Sequence, residues 1–238
     1  MVSFIVPAYN EELLIGRTLQ ALDDAGSALD EPFEIVVADD ASTDRTVAMA
    51  RDHDALVVAA QNRQIAATRN AGAKAASGEL LVFVDADTIV TAAVVRAAID
   101  AMRAGAVGGG CALRFDGYVP LYGRLLLWTL LPLYRVLRLA SGSFVFCTRQ
   151  AFQAVGGFDE GLFAAEELAF SQALHGQGRF VVLREFVTTS GRKFRTCSAR
   201  ETVGLLARLA LAGERSVRQR EGLELWYGER RPDPWSAP

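Results

Sequence analysis

Short apolar runs alternate with amphipathic stretches along the first hundred residues. Val2 to Pro7, VSFIVP, predicts a first strand, which Pro7 should end because it has no N–H for the ladder. Asn10 is placed to cap a helix that opens with Glu11 and Glu12 and continues through Leu13, Leu14, Leu19 and Leu22. Phe33 to Ala38 predicts a second strand, running into Asp39 and Asp40, and Ser42 is placed to cap a helix over Thr46 to Ala50. Ala55 to Ala59 predicts a short strand, Ile65 to Ala76 a helix of small residues, and Leu80 to Val84 a branched apolar strand buried on both faces. Thr91 caps a further helix to Ala104, Ala106 to Phe115 reads as a strand, and Val181 to Thr188 as the last one. Strands and helices in alternation call for an α/β fold with a mostly parallel central sheet, flanked by helices and wound with right-handed crossovers.

Two stretches break this rhythm. Residues 121–140, LYGRLLLWTLLPLYRVLRLA, are as long as a membrane span, yet Arg124, Arg135 and Arg138 interrupt them and Pro132 would kink them. Tyr122, Trp128 and Tyr134 beside those arginines fit an apolar helical insertion resting at a lipid interface. Residues 202–212, with Leu205, Leu206, Leu209 and Leu211 beside Arg208, offer a second such contact. Both also fit helices packed on the sheet or on a second subunit. The end of the chain is too rich in proline to remain regular.

Composition narrows the classes. Half of the 238 residues are hydrophobic, enough for a sizeable core, and the net charge of -3 gives no support to nucleic acid as a partner. Basic residues nevertheless crowd the last fifth, Arg192, Lys193, Arg195 and Arg200 among them, where phosphates or an anionic lipid surface would be met. Cys111, Cys147 and Cys197 are odd in number, far apart and without metal-ligand spacing, so they read as reduced core thiols. The chain opens directly on a strand without a leader pattern, which points to the cytoplasm.

The chemistry concentrates at the ends of the strands. LLVFVDADT, residues 80–88, closes an apolar strand with Asp85 and Asp87, which share a face if the backbone stays extended. Two adjacent anions call for a cation, and Mg2+ or Mn2+ suits oxygen ligands at the open end of a parallel strand. An ordinary strand-to-turn junction capped by Thr88 explains the same residues. Asp39 and Asp40 are placed to accept from a base N–H or a ribose hydroxyl, or simply to shape the turn DDAST. Arg69 lies on a small-residue helix that can approach the same rim. Arg192, Lys193 and Arg195, in SGRKFR, make either a cationic lid over a diphosphate or a solvated basic loop. His53 and His175 stand alone and suggest no metal site.

VPAYNEE at 6–12, VADDASTD at 37–44, RNAGAKAASGE at 69–79, VDADT at 84–88 and SGSFVFCTRQAFQAVGGFDE at 141–160 together resemble a family-2 glycosyltransferase with the GT-A fold. The resemblance implies a nucleotide-diphospho-sugar donor, by family habit a UDP-sugar with a GDP-sugar as the other choice, a divalent cation on the diphosphate, and inversion at the sugar carbon. It assigns Pro7, Tyr9 and Glu11 to the nucleoside pocket, Asp39 or Asp40 to base or ribose, Arg69 to the nucleotide, Asp85 to ribose, donor sugar or metal, and Asp87 to the metal directly. FDEGLFAAEELAF at 158–170 is similar to the segment that presents a Glu-Asp pair, its second acid being the base for a hydroxyl acceptor. Here the pair is Glu166 and Glu167, one methylene longer at the second place, with Glu167 the first choice for base and Glu166 the second. The implied organisation is a catalytic unit over 1–199, split into a nucleotide half, 1–105, and an acceptor half, 106–199, which carries the apolar insertion at 120–140, followed by a helix and tail at 200–238. If the stretches at 121–140 and 202–212 rest on the inner face of the membrane, the acceptor is a lipid-linked sugar or lipid phosphate delivered there; a polysaccharide is the other choice. A non-catalytic nucleotide-sugar-binding or membrane-docked partner protein is the alternative. A sugar nucleotidyltransferase would need a glycine-rich loop after the first strand, which PAYNEE lacks.

Overall fold

The computed structural model describes residues 1–136, 140–212, 217–223, 227, 228, 231 and 233. In chain order its elements are β1 (Val2–Ala8), α1 (Ile15–Ser27), β2 (Phe33–Asp39), α2 (Thr46–Asp52), β3 (Leu56–Ala59), α3 (Ile65–Ala75), β4 (Leu80–Val84), β5 (Thr88–Ile89), α4 (Ala92–Arg103), β6 (Gly108–Phe115), α5 (Leu121–Val136), β7 (Phe144–Thr148), α6 (Arg149–Val155), α7 (Glu166–His175), β8 (Phe180–Thr189), α8 (Arg192–Thr196) and α9 (Ala199–Ala212). The strands form one eight-stranded sheet in the order β3-β2-β1-β4-β7-β6-β8-β5.

The β3–β4 part of the sheet is parallel, as alternating strands and helices require: β2 pairs with β1 and β3, and β1 with β4. Beyond β4 the pattern changes, because β7 runs antiparallel to both β4 and β6, whereas β6 and β8 are parallel again. The Phe144–Thr148 run, which the sequence shows only as part of the 141–160 motif, forms β7 and stands between β4 and β6. A second unforeseen strand, β5, is two residues long and pairs antiparallel with the end of β8.

Alternation along β1 divides the interior. Val2, Phe4 and Val6 face one layer with Ile15, Leu19 and Leu22 of α1 and Val94, Val95 and Ala98 of α4. Ile5 faces the other, with Ala66 and Ala73 of α3, Ala151 of α6, and Phe170 and Leu174 of α7. In that second layer Phe83, Phe152, Phe158 and Phe170 pack ring against ring, with Phe158 and Phe170 stacked at 4.1 Å. Gly109 sits where β6 is pressed between β7 and β8; a Cβ there would lie 2.1 Å from the Val181 carbonyl oxygen and 2.4 Å from Phe146 Cζ.

Three expected boundaries move. Pro7 does not end β1: it pairs with Ala38 and the strand runs on to Ala8. The β1–β4 ladder stops at Ile5–Phe83, so the missing N–H of Pro7 meets no strand on that side. Asn10 does not cap α1, which starts at Ile15; Asn10 has φ 49° and its Oδ1 accepts from the N–H of Thr43, tying the two loops together. Ser42 does not cap α2 either. Asp44 does that work, with Oδ1 accepting from both the N–H and the hydroxyl of Thr46, while the Ser42 hydroxyl accepts from Asn10 N.

α5 spans the apolar stretch, exposing Leu121, Leu125 and Trp128, and no described helix is long and apolar enough to cross a membrane. The side chains at 130–139, among them Pro132, Tyr134, Arg135 and Arg138, and those at 206–212 lie outside the described residues. All three cysteines are free thiols, two of them buried.

Candidate active site

The C-terminal ends of β1 and β4, the loop before α3, the starts of α7 and α8, and the facing sides of β6 and β8 enclose one cavity of about 1030 Å³. Every expected site residue except Asp39 and Arg195 lines it: Pro7, Tyr9, Glu11, Asp40, Arg69, Asp85, Asp87, Glu166, Glu167, Arg192 and Lys193.

After β4 the backbone does not stay extended. The Thr88 N–H bonds to the Asp85 carbonyl at 3.0 Å, so the acids sit on a turn, with Ala86 buried between them. Both carboxylates nonetheless reach the cavity. Asp85 accepts from Arg69 Nη2 at 3.0 Å, and burial, opposed by that arginine, raises its pKa above the ordinary value. Asp87 is held more loosely: Thr189 Oγ1 donates to its Oδ1 at 3.3 Å, and an Arg192 nitrogen lies 3.3 Å from its Oδ2. Among the described residues no third acid, histidine or cysteine joins them in a metal-binding group. The donor set still fits Mg2+ or Mn2+ in the manner of enzymes that bind the ion through one or two carboxylates and fill the remaining places with substrate phosphates and water.

Arg69 ties the site together. Only 1 % exposed, it donates from Nη1 to Glu166 at 2.7 Å and from Nη2 to Asp85 and to the Gly142 carbonyl, both at 3.0 Å. Burial would favour its neutral form, but Asp85, Glu166 and Glu167 outweigh that and keep it firmly charged. One buried cation therefore joins α3, the end of β4 and the start of α7.

The two glutamates divide in consequence. Glu166 is buried and committed to Arg69. Glu167 is half-buried on the cavity wall beside Gly142 and, among the described residues, has no ion pair. Burial first, and the neighbouring Glu166 next, push its pKa from the ordinary 4.5 up to about 8.

At the nucleotide end, Asp40 spends both oxygens on a backbone cradle, accepting from the N–H groups of Asn62, Arg63 and Gln64 at 2.7, 2.6 and 2.9 Å. Asp39 lies behind the wall; one oxygen accepts from Ser42 N at 3.2 Å and the other is buried with no partner among the described residues. The cradle presents Arg63, whose guanidinium stacks 3.7 Å over the Tyr9 ring. Sequence reasoning missed Arg63; nothing in its neighbours singles it out, because its place depends on Asp40 folding the loop.

Of the three basic residues after β8, Arg192 grips Glu11 through both nitrogens, and Lys193 lines the cavity. Arg195 turns away to Asp116 and Asp233, pinning the chain end. Arg114, Arg184 and Phe186 were also missed. Strand alternation carries their signal, since Arg184 and Phe186 stand between the buried Leu183 and Val187. Tyr227, far along the tail, closes another part of the wall and packs on Phe163.

Residues 3–155 match the sequence profile of Glycosyl transferase family 2. A validoxylamine A glucosyltransferase from Streptomyces hygroscopicus subsp. jinggangensis is 40% identical over 91 residues, 36% of this chain and 21% of that protein. An undecaprenyl-phosphate 4-deoxy-4-formamido-L-arabinose transferase from Pseudomonas paraeruginosa is 36% identical over 94 residues, 37% of this chain and 28% of that protein. The matched stretch is thus about a fifth to a quarter of these relatives' length. Among solved structures, a mannosyltransferase from Pyrobaculum calidifontis in complex with GDP-Man and Mn2+ superposes with a TM-score of 0.66 at 22% identity, over 92% of this chain and 65% of that one. Glucosyl-3-phosphoglycerate synthase from Mycobacterium tuberculosis, with Mn2+ and UDP, gives 0.61 at 21% identity, over 97% and 81%.

Proposed function

Because the chain belongs to glycosyl transferase family 2 and has the GT-A fold, we propose that it moves a sugar from a nucleoside diphosphate donor to a hydroxyl acceptor, with inversion at the sugar carbon. The observation that carries this reading is the convergence of Asp85, Asp87 and Glu167 on one cavity large enough for a nucleotide sugar and an acceptor together. The pyrimidine or purine base is assigned to the end lined by Tyr9 and Arg63, where a stacked pair offers a flat, cationic edge. Asp85 and Asp87 are assigned to a divalent cation and Arg192 and Lys193 to the diphosphate. When bound, that cation stabilises the negative charge gathering on the departing diphosphate.

Glu167 is proposed as the base that takes the acceptor's proton, and Glu166 as the residue that fixes Arg69. The support is their different commitments: a glutamate already accepting from a buried arginine is poorly placed to receive a proton, while a cavity-facing one with a raised pKa is suited to it. A UDP-sugar is favoured as donor. Contact with the inner face of a membrane through α5, and a lipid-linked or polysaccharide acceptor, belong to the same proposal; the exposed Leu121, Leu125 and Trp128 support the first part.

Asp87→Ala tests the reading. Nucleotide sugars screened by thermal shift with and without manganese are expected to stabilise the native protein only when a matching donor and the ion are both present, and the variant is expected to lose that manganese-dependent shift. A full shift in the variant removes Asp87 from the site.

A further inference from the structure

The arginines around the cavity are not equivalent. Arg69 and Arg192 are held by carboxylates, and Arg63 lies on Tyr9. Arg114 and Arg184 stand on the paired strands β6 and β8, both exposed and both lining the cavity, and among the described residues neither meets a carboxylate. They are also brought toward each other. The Arg114 guanidinium lies 3.5 Å over the ring of Phe186, and Phe186 is the next residue after Arg184 on the same face of β8, about 7 Å along the strand. Stacking fixes the plane of the Arg114 fork and leaves its N–H edge pointing outward.

Their place along the strands separates this pair from Asp87. Thr189, whose hydroxyl meets Asp87, ends β8, and Arg184 stands before it by about 16 Å along the strand. Arg114 pairs in register with Thr188, yet its guanidinium lies over Phe186, turned back along β8 toward Arg184. That position, away from the proposed metal ligands, suits an acceptor rather than the donor's own diphosphate. Two forked donors on neighbouring strands of one cavity wall suit a tetrahedral phosphate, whose several oxygens can accept from both. Ala112 and Val182, on the same face of β6 and β8, and Leu127 of α5 also line the cavity, so apolar surface lies beside the pair.

We infer that Arg114 and Arg184 form an anion subsite for the acceptor, which carries a phosphate group beside the hydroxyl that is glycosylated. The inference rests on the glycosyltransferase reading and adds the chemical class of the second substrate. The phosphate belongs either to a lipid headgroup or to a soluble phosphorylated compound, and recognition by the two arginines is the same in both.

Calorimetric titration of the full chain at low salt tests it. UDP or GDP with manganese is titrated first, which reports on the donor site alone. Farnesyl phosphate, glycerol 3-phosphate and farnesol are then titrated, with the nucleotide and manganese present wherever they bind. Both phosphates are expected to bind while farnesol does not, and Arg114→Gln combined with Arg184→Gln is expected to weaken phosphate binding by about tenfold or more with nucleotide binding unchanged. Farnesyl phosphate much tighter than glycerol 3-phosphate identifies a lipid source, and equal affinities a soluble one; either supports the subsite. Both side chains are exposed, so the variant keeps its fold, which its melting temperature verifies. Absence of phosphate binding, binding unchanged in the variant, or farnesol as tight as farnesyl phosphate overturns the inference, whatever the nucleotide titration shows.

Discussion

Arg69 is the side chain on which most of the site leans. Replacing it by methionine leaves Glu166 buried and unpaired and strips Asp85 of its main counter-charge, so Arg69→Met is expected to cost about 3–5 kcal/mol of stability in urea unfolding. Adding Glu166→Gln should restore a good part of it; a single variant as stable as the parent would mean that the network contributes nothing. Glu167 sets a pH dependence of the opposite kind to a salt-bridged acid. Its folded pKa lies above the ordinary 4.5, so between about 4.5 and about 8 the native state holds a proton that the unfolded chain has released, and stability falls as pH rises through that window. Glu167→Gln is expected to gain stability over the parent at pH 8 and to lose that advantage by pH 4, in melting curves across the range. At this scale the sequence was readable where chemistry is local. Asp85 and Asp87 stand out as acids at the end of an apolar run, whereas the Glu166-Glu167 pair stands out only through the family resemblance. It was silent where one residue's role is another's consequence, as with Arg63, which reaches Tyr9 only because Asp40 gathers the backbone at 62–64.

Elements were legible in proportion to their regularity. The parallel half of the sheet follows from alternating strands and helices. β5 did not, because two residues carry too little pattern, and β7 did not, because it runs antiparallel and follows the apolar helix rather than the alternation. The helix starts that moved, at Asn10 and Ser42, lie where two loops bond to each other across the rim, side chain to backbone, and single-segment capping rules cannot see such pairs. Pro7 stays inside β1 because its ladder toward β4 has already stopped. β6 shows the packing limit most sharply. Gly109→Ala would push a methyl into Val181's carbonyl and the Phe146 ring, so it is expected to destabilise by about 1–3 kcal/mol and lower the melting temperature, although alanine suits an exposed strand no worse than glycine. An unchanged melting temperature would show that β6 can move away from β7 and β8.

On the scale of the whole molecule, one wall of the cavity continues into an outer face. Leu127 on α5 lines the cavity, while Leu121, Leu125 and Trp128 on the same helix look into solvent beside the exposed Arg124. Apolar anchors next to a cation suit an anionic lipid surface. Leu125→Ser with Trp128→Ser is expected to reduce co-sedimentation with phosphatidylglycerol vesicles by about tenfold or more, from the burial each side chain would lose. Retention at parent level removes α5 as the contact. The tail takes part as well: Asp233 pairs with Arg195, and Tyr227 lines the cavity.

The position of Arg192 has one more consequence. Lying across both Glu11 and Asp87, it is a tethered rival for any ion that seeks the same oxygens, and dilution cannot remove a rival anchored to the chain. On the proposed assignment, Asp87 is expected to become available as the guanidinium finds another anion, such as an incoming pyrophosphate. Nucleotide and metal are then expected to enter as a couple, each weak on its own, which would spare the protein from idle occupancy by whichever of the two happens to be abundant.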